Sequence, residues 1–485
     1  MQKTLAAIAA FALLVVLLSP LAGQAQEGRA MVEAVSKAMG AGSLKSIQVT
    51  GSGTMFALGQ SPAPGMPWPQ FHVKSATRSV NYETGALRDE MVRTQALDPP
   101  RGGGQQPLRG EQRLNFVVSG EHAWNVLGDA AVPTPLFQAE RQFQLWATPH
   151  GVVKGALANK ATVQGRTISF AVPGRFTLKA SINGQNMIEK VEGVVPHPVL
   201  GDVPVEVRFA DYRDFGGVKF PTRVRQAAGG FPTLDLTITD VKPNAPVDIP
   251  VPDTVRQSPK PYARVTTQMA AEGVWYMTGG SHHSAAIEMK DHVILVESPL
   301  NDERALAVIA EARSLAPGKP IRYLVNSHHH FDHSGGVRAA VAEGVTVITH
   351  EVNRAFFERT LAAPARLSPD ALAKSGRKAT VEGVRDRRVM TDGTRTVEIH
   401  HVAGNLHADG LIMVYLPKEQ ILIEADAFTP AAPGSAYPAA AAVNPFSVNL
   451  ADNLSRLTLS VGQILPLHGR MVPLAELHKA IGRAQ

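Results

Sequence analysis

The spacing of hydrophobic and polar positions changes character along this chain. In residues 29–39, RAMVEAVSKAM, apolar positions recur at helical spacing and stop at Gly40, which predicts a short amphipathic helix. Beyond it the period becomes two. RFTLKASINGQNMIEKVEG alternates on either side of Asn183-Gly184, the mark of a hairpin turn. In VEVRFADYRDFGGVKFPTRVRQ, Val205, Val207 and Phe209 alternate up to the Gly216-Gly217 turn, and Val218, Phe220 and Val224 return along one face. TLDLTITDV continues the alternation through Leu234, Leu236 and Ile238. Two stretches, SPAPGMPWP from Ser61 and PPRGGGQQPLRG from Pro99, read as loops. Residues 27–247 are therefore expected to form an antiparallel β domain with one leading helix.

Residues 248–262, DIPVPDTVRQSPKPY, are rich in proline and read as a linker. After them short β-branched runs, HVILVESP and IRYLVNS, alternate with the helical patterns NDERALAVIAEARSLAPG and SGGVRAAVAEG. That alternation predicts a layered domain of strands and helices over 263–485. EVNRAFFERTLAA reads as a further amphipathic helix.

Composition narrows the setting. The 485-residue chain is 44% hydrophobic and 19% charged, enough to bury sizeable cores. Its start is a separate matter: Lys3, then an apolar run from Leu5 to Leu18, then small residues up to Ala25, which has the layout of a signal peptide cleaved after Ala25. An exported protein, periplasmic or secreted, is the expectation, with no membrane span after cleavage. The chain has no cysteine, so disulfides, thiolate metal ligands and cysteine nucleophiles are excluded. A net charge of +6 with no basic run interleaved with aromatics argues against a nucleic-acid partner.

The candidate chemistry is concentrated in NSHHHFDHSGG, residues 326–336. It begins where the apolar strand ending at Val325 stops and runs into a helix, the place where layered α/β proteins put their chemistry. His328 and His330 are two apart and can point the same way while His329 points elsewhere. Asp332 and His333 lie on the turn into the helix, and Gly335-Gly336 would let the backbone turn sharply. Imidazole and carboxylate together suit zinc. The strand, loop, glycine and helix context separates this cluster from a solvated polar loop.

With that motif the sequence resembles the metallo-β-lactamase-fold hydrolase superfamily over most of residues 270–470. The resemblance implies a four-layer αβ/βα fold for the C-terminal half, making the whole an α+β multidomain protein. It also implies a site of two metal ions. His407 follows the strand and glycine turn of VEIHHVAGNLHADG, Asp426 ends the strand of QILIEADAF, and His468 ends that of ILPLHGR. By this resemblance His328, His330 and His407 hold one ion, Asp332, His333 and His468 hold the other, and Asp426 bridges them. Two zinc ions are expected, and the donors also admit iron or manganese. The reaction implied is attack by a metal-bridging hydroxide on an ester, lactone or amide carbonyl of a small-molecule substrate, with Asp332 orienting the nucleophile.

Four further residues are open at this level. His282 and His283 occupy a loop near the expected mouth. Glu297 stands where the superfamily usually has an aspartate that orients a ligand. Tyr437 is a candidate for an active-site tyrosine, since Thr429 stands where many lactonases of the fold carry one. His400 and His401 lie within a strand and are expected outside the site. The absence of cysteine near Asp426 separates the chain from thiol-ligand β-lactamases. The aspartate speaks against the all-histidine β-lactamases, which usually lack it, and the resemblance that remains is to lactonases and related ester hydrolases. The alternatives are β-lactamase activity, or an envelope ligand-binding protein with a secondary metal domain. For the latter, the N-terminal half resembles the open half-barrel of periplasmic lipoprotein-carrier proteins, on its layout and on DYRDFGGVKFPTRV. Its concave face would then take an apolar ligand, or serve for docking.

Overall fold

The structure, a computed structural model, describes residues 28–172, 176–258, 260–435, 437 and 443–483. The expected signal peptide lies outside the described residues. No helix among the described residues is long and apolar enough to cross a membrane.

The N-terminal half is one antiparallel sheet of thirteen strands, from Ser46–Phe56 to Phe231–Pro243. The strands Gly201–Phe215 and Val218–Ala228 pair across Gly216-Gly217 in the register the alternation implies, Phe215 opposite Val218. The leading helix spans residues 28–39 and ends at Gly40, whose φ is +66°. Two more helices, Gln138–Trp146 and Pro149–Ala158, were not expected from the pattern. The first of them touches both the strand Ala86–Gln95 and the strand Ile188–His197. Those strands stand six spacings apart in the sheet, about 29 Å if flat at ~4.8 Å per strand. A helix about 10 Å across reaches both only because the sheet curls around it. The apolar space left between them, lined by Val49, Phe209, Phe220 and Leu236, is about 50 Å³. That is well below the ~150 Å³ that admits a benzene ring, so the sheet's interior is filled chiefly by the protein's own side chains. The proline-rich segment that follows is packed down: Ile249 and Val255 are buried with Ala86, Val117 and Trp124 of the sheet.

The C-terminal half has two sheets. One has seven strands, from Thr266–Ala271 to Val381–Val384, and the other has six, from Arg387–Thr391 to Val472–Pro473. The strand Val293–Val296 shows why its sequence is apolar throughout. Val293 and Leu295 pack outward against Val308 and Ile309 of the helix Asp302–Leu315, while Ile294 and Val296 pack inward against the second sheet's Val414 and Ile423. Both faces of the strand are covered, so no position is left for a polar residue. The second sheet's other face, with Met413 and Leu422, is covered by Leu450 and Leu454 of the helix Pro445–Arg456 and by Leu477. The result is helix, sheet, sheet, helix, the four layers expected. The fold is an α+β multidomain arrangement, with a large antiparallel sheet first and the layered domain second.

Candidate metal centre

Four strands of the C-terminal half deliver the chemistry at one end of the two sheets. Ile321–Val325 runs into the loop of His328, His330, Asp332 and His333. Thr396–His401 precedes the loop of His407, Ile421–Glu424 leads to Asp426, and Gln463–Pro466 leads to His468. The structure brings all seven expected residues together. They form two groups whose donor atoms lie within 4.8 Å of one another: His328, His330, His407 and Asp426 in one, and Asp332, His333, His468 and His282 in the other.

Asp426 joins the groups. Its Oδ2 is 3.0 Å from His407 Nε2, 3.3 Å from His328 Nε2 and 2.9 Å from His333 Nε2, and its Oδ1 is 3.0 Å from His468 Nε2. Its backbone sits at φ +59°, a left-handed conformation that aspartate tolerates better than most residues with a Cβ.

The glycines after the motif act by packing rather than by turning. Gly335 and Gly336 have ordinary negative φ values, −62° and −100°. A Cβ on Gly335 would fall 1.9 Å from the carbonyl oxygen of Leu300. Glycine is needed there so that the 298–300 loop, which carries the chain away from Glu297, can press against the motif.

Outer hydrogen bonds fix which ring nitrogen faces inward. Glu297 is fully buried and accepts from Asn326 Nδ2 at 2.6 Å and from the Ser327 hydroxyl. Its Oε2 lies 3.1 Å from His333 Nδ1, which donates to it. With its own proton committed to Glu297, the Ser327 hydroxyl accepts from His328 Nδ1 at 2.9 Å. His468 Nδ1 donates to the Ser281 carbonyl at 2.9 Å, and His330 Nε2 donates to the Ser61 carbonyl at 2.8 Å. In its neutral form each of these four rings is left with a lone pair directed into the cluster.

Those lone pairs meet. His333 Nε2 and His468 Nε2 are 3.0 Å apart. The inward nitrogen of His328 lies 3.3 Å from His407 Nε2, whose tautomer no outer hydrogen bond among the described residues fixes. His330 Nδ1 is buried with no hydrogen-bond partner. Two neutral imidazole lone pairs repel at such a distance unless a positive charge lies between them, and a buried nitrogen without a partner is costly. The donor set fits bound cations of the kind that imidazole and carboxylate hold.

Charge points the same way. Burial, followed by His333 and His407, pushes His328 down to about 3, so that ring is neutral at neutral pH. Burial and then the neighbouring rings of His328 and His407 hold His330 well below its ordinary value. For His333 burial also opposes the charged form, but Asp426, Glu297 and Asp332 outweigh it and raise the ring well above 6.5. Burial favours neutral carboxyls at Asp426 and Asp332, yet the surrounding histidines hold both well below the usual range. The pocket thus combines ionised carboxylates with a demand for positive charge, which either a proton on His333 or a metal ion satisfies.

Of the residues left open by sequence, His282 belongs to the cluster: its Nε2 is 3.1 Å from Asp332 Oδ2 and its ring centroid is 4.2 Å from that of His468. His283 does not; it bonds the carbonyl of Gly469 at 2.9 Å and lies against Tyr276. Tyr437 donates its hydroxyl to Glu476 at 2.7 Å. His400 pairs with Glu398, and His401 with the carbonyl of Asp409. The pairing of His282 with Asp332 carried no sequence signal beyond a histidine doublet.

Residues 277–466 match the family model described as the Metallo-beta-lactamase superfamily. This stretch is a metallo-β-lactamase domain. A relative, the 2,4-dinitroanisole O-demethylase subunit alpha of Nocardioides sp. (strain JS1661), is 27% identical over 162 residues. That match covers 33% of this chain and 46% of the relative, so less than half of the relative's length is spanned. Similar solved structures include the metallo-β-lactamase from Pontibacter korlensis, at 17% identity and a TM-score of 0.35, covering 45% of this chain and 98% of that one. Another is the metallo-β-lactamase from Hirschia baltica, at 21% identity and a TM-score of 0.34, covering 46% of this chain and 99% of that one. Within the superfamily domain, the histidine and aspartate clusters are able to bind metal ions.

Proposed function

We propose that this metallo-β-lactamase superfamily protein is an exported hydrolase that uses two metal ions, zinc by preference, to cleave an ester, lactone or amide. The observation that carries the reading is the convergence of inward lone pairs on Asp426. His328, His330 and His407 would hold one ion. Asp332, His333 and His468 would hold the other, with His282 beside Asp332, and Asp426 reaching both. Ions held in such a site supply an acidified water near neutral pH and polarise a carbonyl oxygen.

The chain's own residues do the rest. Glu297, Ser327 and the carbonyls of Ser61 and Ser281 hold the rings in the tautomers described. Asp332 has the most exposed side chain of the cluster, 34% against 0% for His328, so its carboxylate faces the incoming substrate. With Oδ2 beside His282 Nε2, its carboxylate would orient an attacking water by accepting a hydrogen bond from it. The absence of cysteine agrees with a mechanism that needs no thiol nucleophile.

The test is steady-state turnover on a matched panel of lactones, activated aryl esters, penicillins and 2,4-dinitroanisole, the last prompted by the O-demethylase relative. Lactones or activated esters should be the better substrates, with activity lost to chelator and restored by zinc. Turnover unaffected by exhaustive chelation would sink the metal reading. A wide preference for penicillins would overturn the substrate class, and one for 2,4-dinitroanisole would move it to aryl ethers. Export rests on the amino-terminal segment, and amino-terminal sequencing of the mature protein should find it starting after Ala25.

A further inference from the structure

We propose that the N-terminal domain forms part of the active site, with Gln60 and Ser61 as positioning residues for Asp332 and His330; the inference rests on the metal-site reading above. The two ligands lie in different clusters, and both are held by one short loop from the first domain.

Gln60 Nε2 donates to Asp332 Oδ1 at 2.8 Å. The amide's orientation follows from its other end, because Gly104 N–H donates to Gln60 Oε1 at 2.9 Å and only an oxygen can accept there. One carboxylate oxygen of Asp332 is thereby fixed, and Oδ2 is left for the cluster. A neutral amide restrains the carboxylate without cancelling the negative charge that a cation needs; a lysine or arginine there would neutralise it. The next residue acts through its backbone. The Ser61 carbonyl accepts a hydrogen bond from His330 Nε2–H, the one polar partner among the described residues for that ring, and so turns Nδ1 inward. The Ser61 hydroxyl meets His329 Nε2 at 3.1 Å.

The loop is clamped from both sides. A Cβ on Gly103 would fall 1.9 Å from Gln60 Oε1 and 3.0 Å from His330 Cε1, so the 101–104 segment rests directly on both. Gly102 N donates to the Leu406 carbonyl at 2.8 Å and Asp409 N to the Pro62 carbonyl at 2.7 Å, which tie the first domain to the loop carrying His407. Further out, Asp202 accepts from the backbone of Arg366 and Leu367 at 2.9 and 3.1 Å, and His197 packs edge-on against Phe331. This cover lies over His330, while Asp332 and His468 keep 34% and 20% of their side chains exposed. Substrate therefore enters past Asp332, with Gln60 at the rim.

Metal binding to the full-length protein tests this apart from turnover. Gln60→Met keeps the side chain's length and removes both hydrogen bonds. Competition with a chelator should show one ion bound about 10–100-fold more weakly, the usual cost of losing a partner behind a ligand. The visible spectrum of the cobalt-substituted protein should change as that site's geometry relaxes. Thr148→Ala, which removes a helix cap elsewhere in the same domain, should alter stability but neither metal readout. Should Gln60→Met fail to fold, Gly103→Ala decides by the same readouts. Wild-type affinity for both ions with an unchanged cobalt spectrum would overturn the role of the N-terminal domain. Wild-type protein that binds no metal would instead overturn the function proposed above and leave the role of Gln60 without a ligand to position.

Discussion

Glu297 and His333 face each other at 3.1 Å with neither side chain exposed to solvent. The carboxylate also serves Asn326 and Ser327, and its backbone is held at φ +67°. From this position the glutamate side chain is long enough to reach the His333 ring. Glu297→Gln should weaken the metal site at His333 by about 10–100-fold. Glu297→Ala leaves buried donors without an acceptor and should cost roughly 3–5 kcal/mol of stability in urea denaturation. Metal affinity unchanged in Glu297→Gln would show that Glu297 holds the loop and not the ring.

The two neighbouring histidines should separate cleanly. His282→Ala should lower turnover and weaken the ion held by Asp332, because its ring stands against Asp332 and His468. His283→Ala should keep both ions and cost about 1 kcal/mol through loss of the bond to Gly469. Chelator competition and thermal melts on the two variants check this, and equal metal affinities would place His282 outside the centre.

Acid should act on the N-terminal domain through His150. This ring is fully buried and stacked on Phe220, and burial lowers it from 6.5 to about 4 despite its bond to the Met39 carbonyl. The unfolded chain takes up a proton near pH 6.5 and the folded one near pH 4. Its contribution to stability is therefore complete above about 6.5 and is lost as the pH falls towards 4, at about 1.4 kcal/mol per unit. His150→Phe should flatten the fall in unfolding free energy between pH 6 and pH 4.5 by about one proton's worth of slope. Parallel curves for the two proteins would show that His150 is not the neutral buried group.

Much of this arrangement is legible along the chain. The strand Val293–Val296 is apolar because both its faces are covered, and the spacing of His328, His330, Asp332 and His333 follows from one strand end and one turn. The helix Gln138–Trp146 is not legible, because its buried face includes Arg141 and Gln142. Arg141 is tolerated inside because it donates to the carbonyls of Val117 and Trp124 and to Asn125. Gln60 is hidden for another reason. It sits at the edge of a proline-rich loop and meets Asp332 across 272 positions of sequence, a separation that no local pattern reports.

Asp426 touches both clusters, so the metal content of the purified full-length protein, wild type against Asp426→Asn, is the most direct measurement. Asparagine tolerates the left-handed backbone at this position, so the substitution changes the bridging group with little added strain. Elemental analysis of protein purified without chelator should find two ions per chain in the wild type, one for each cluster, and a loss of affinity for both in Asp426→Asn. Wild-type protein free of metal, or Asp426→Asn holding both ions as tightly as the wild type, would contradict it.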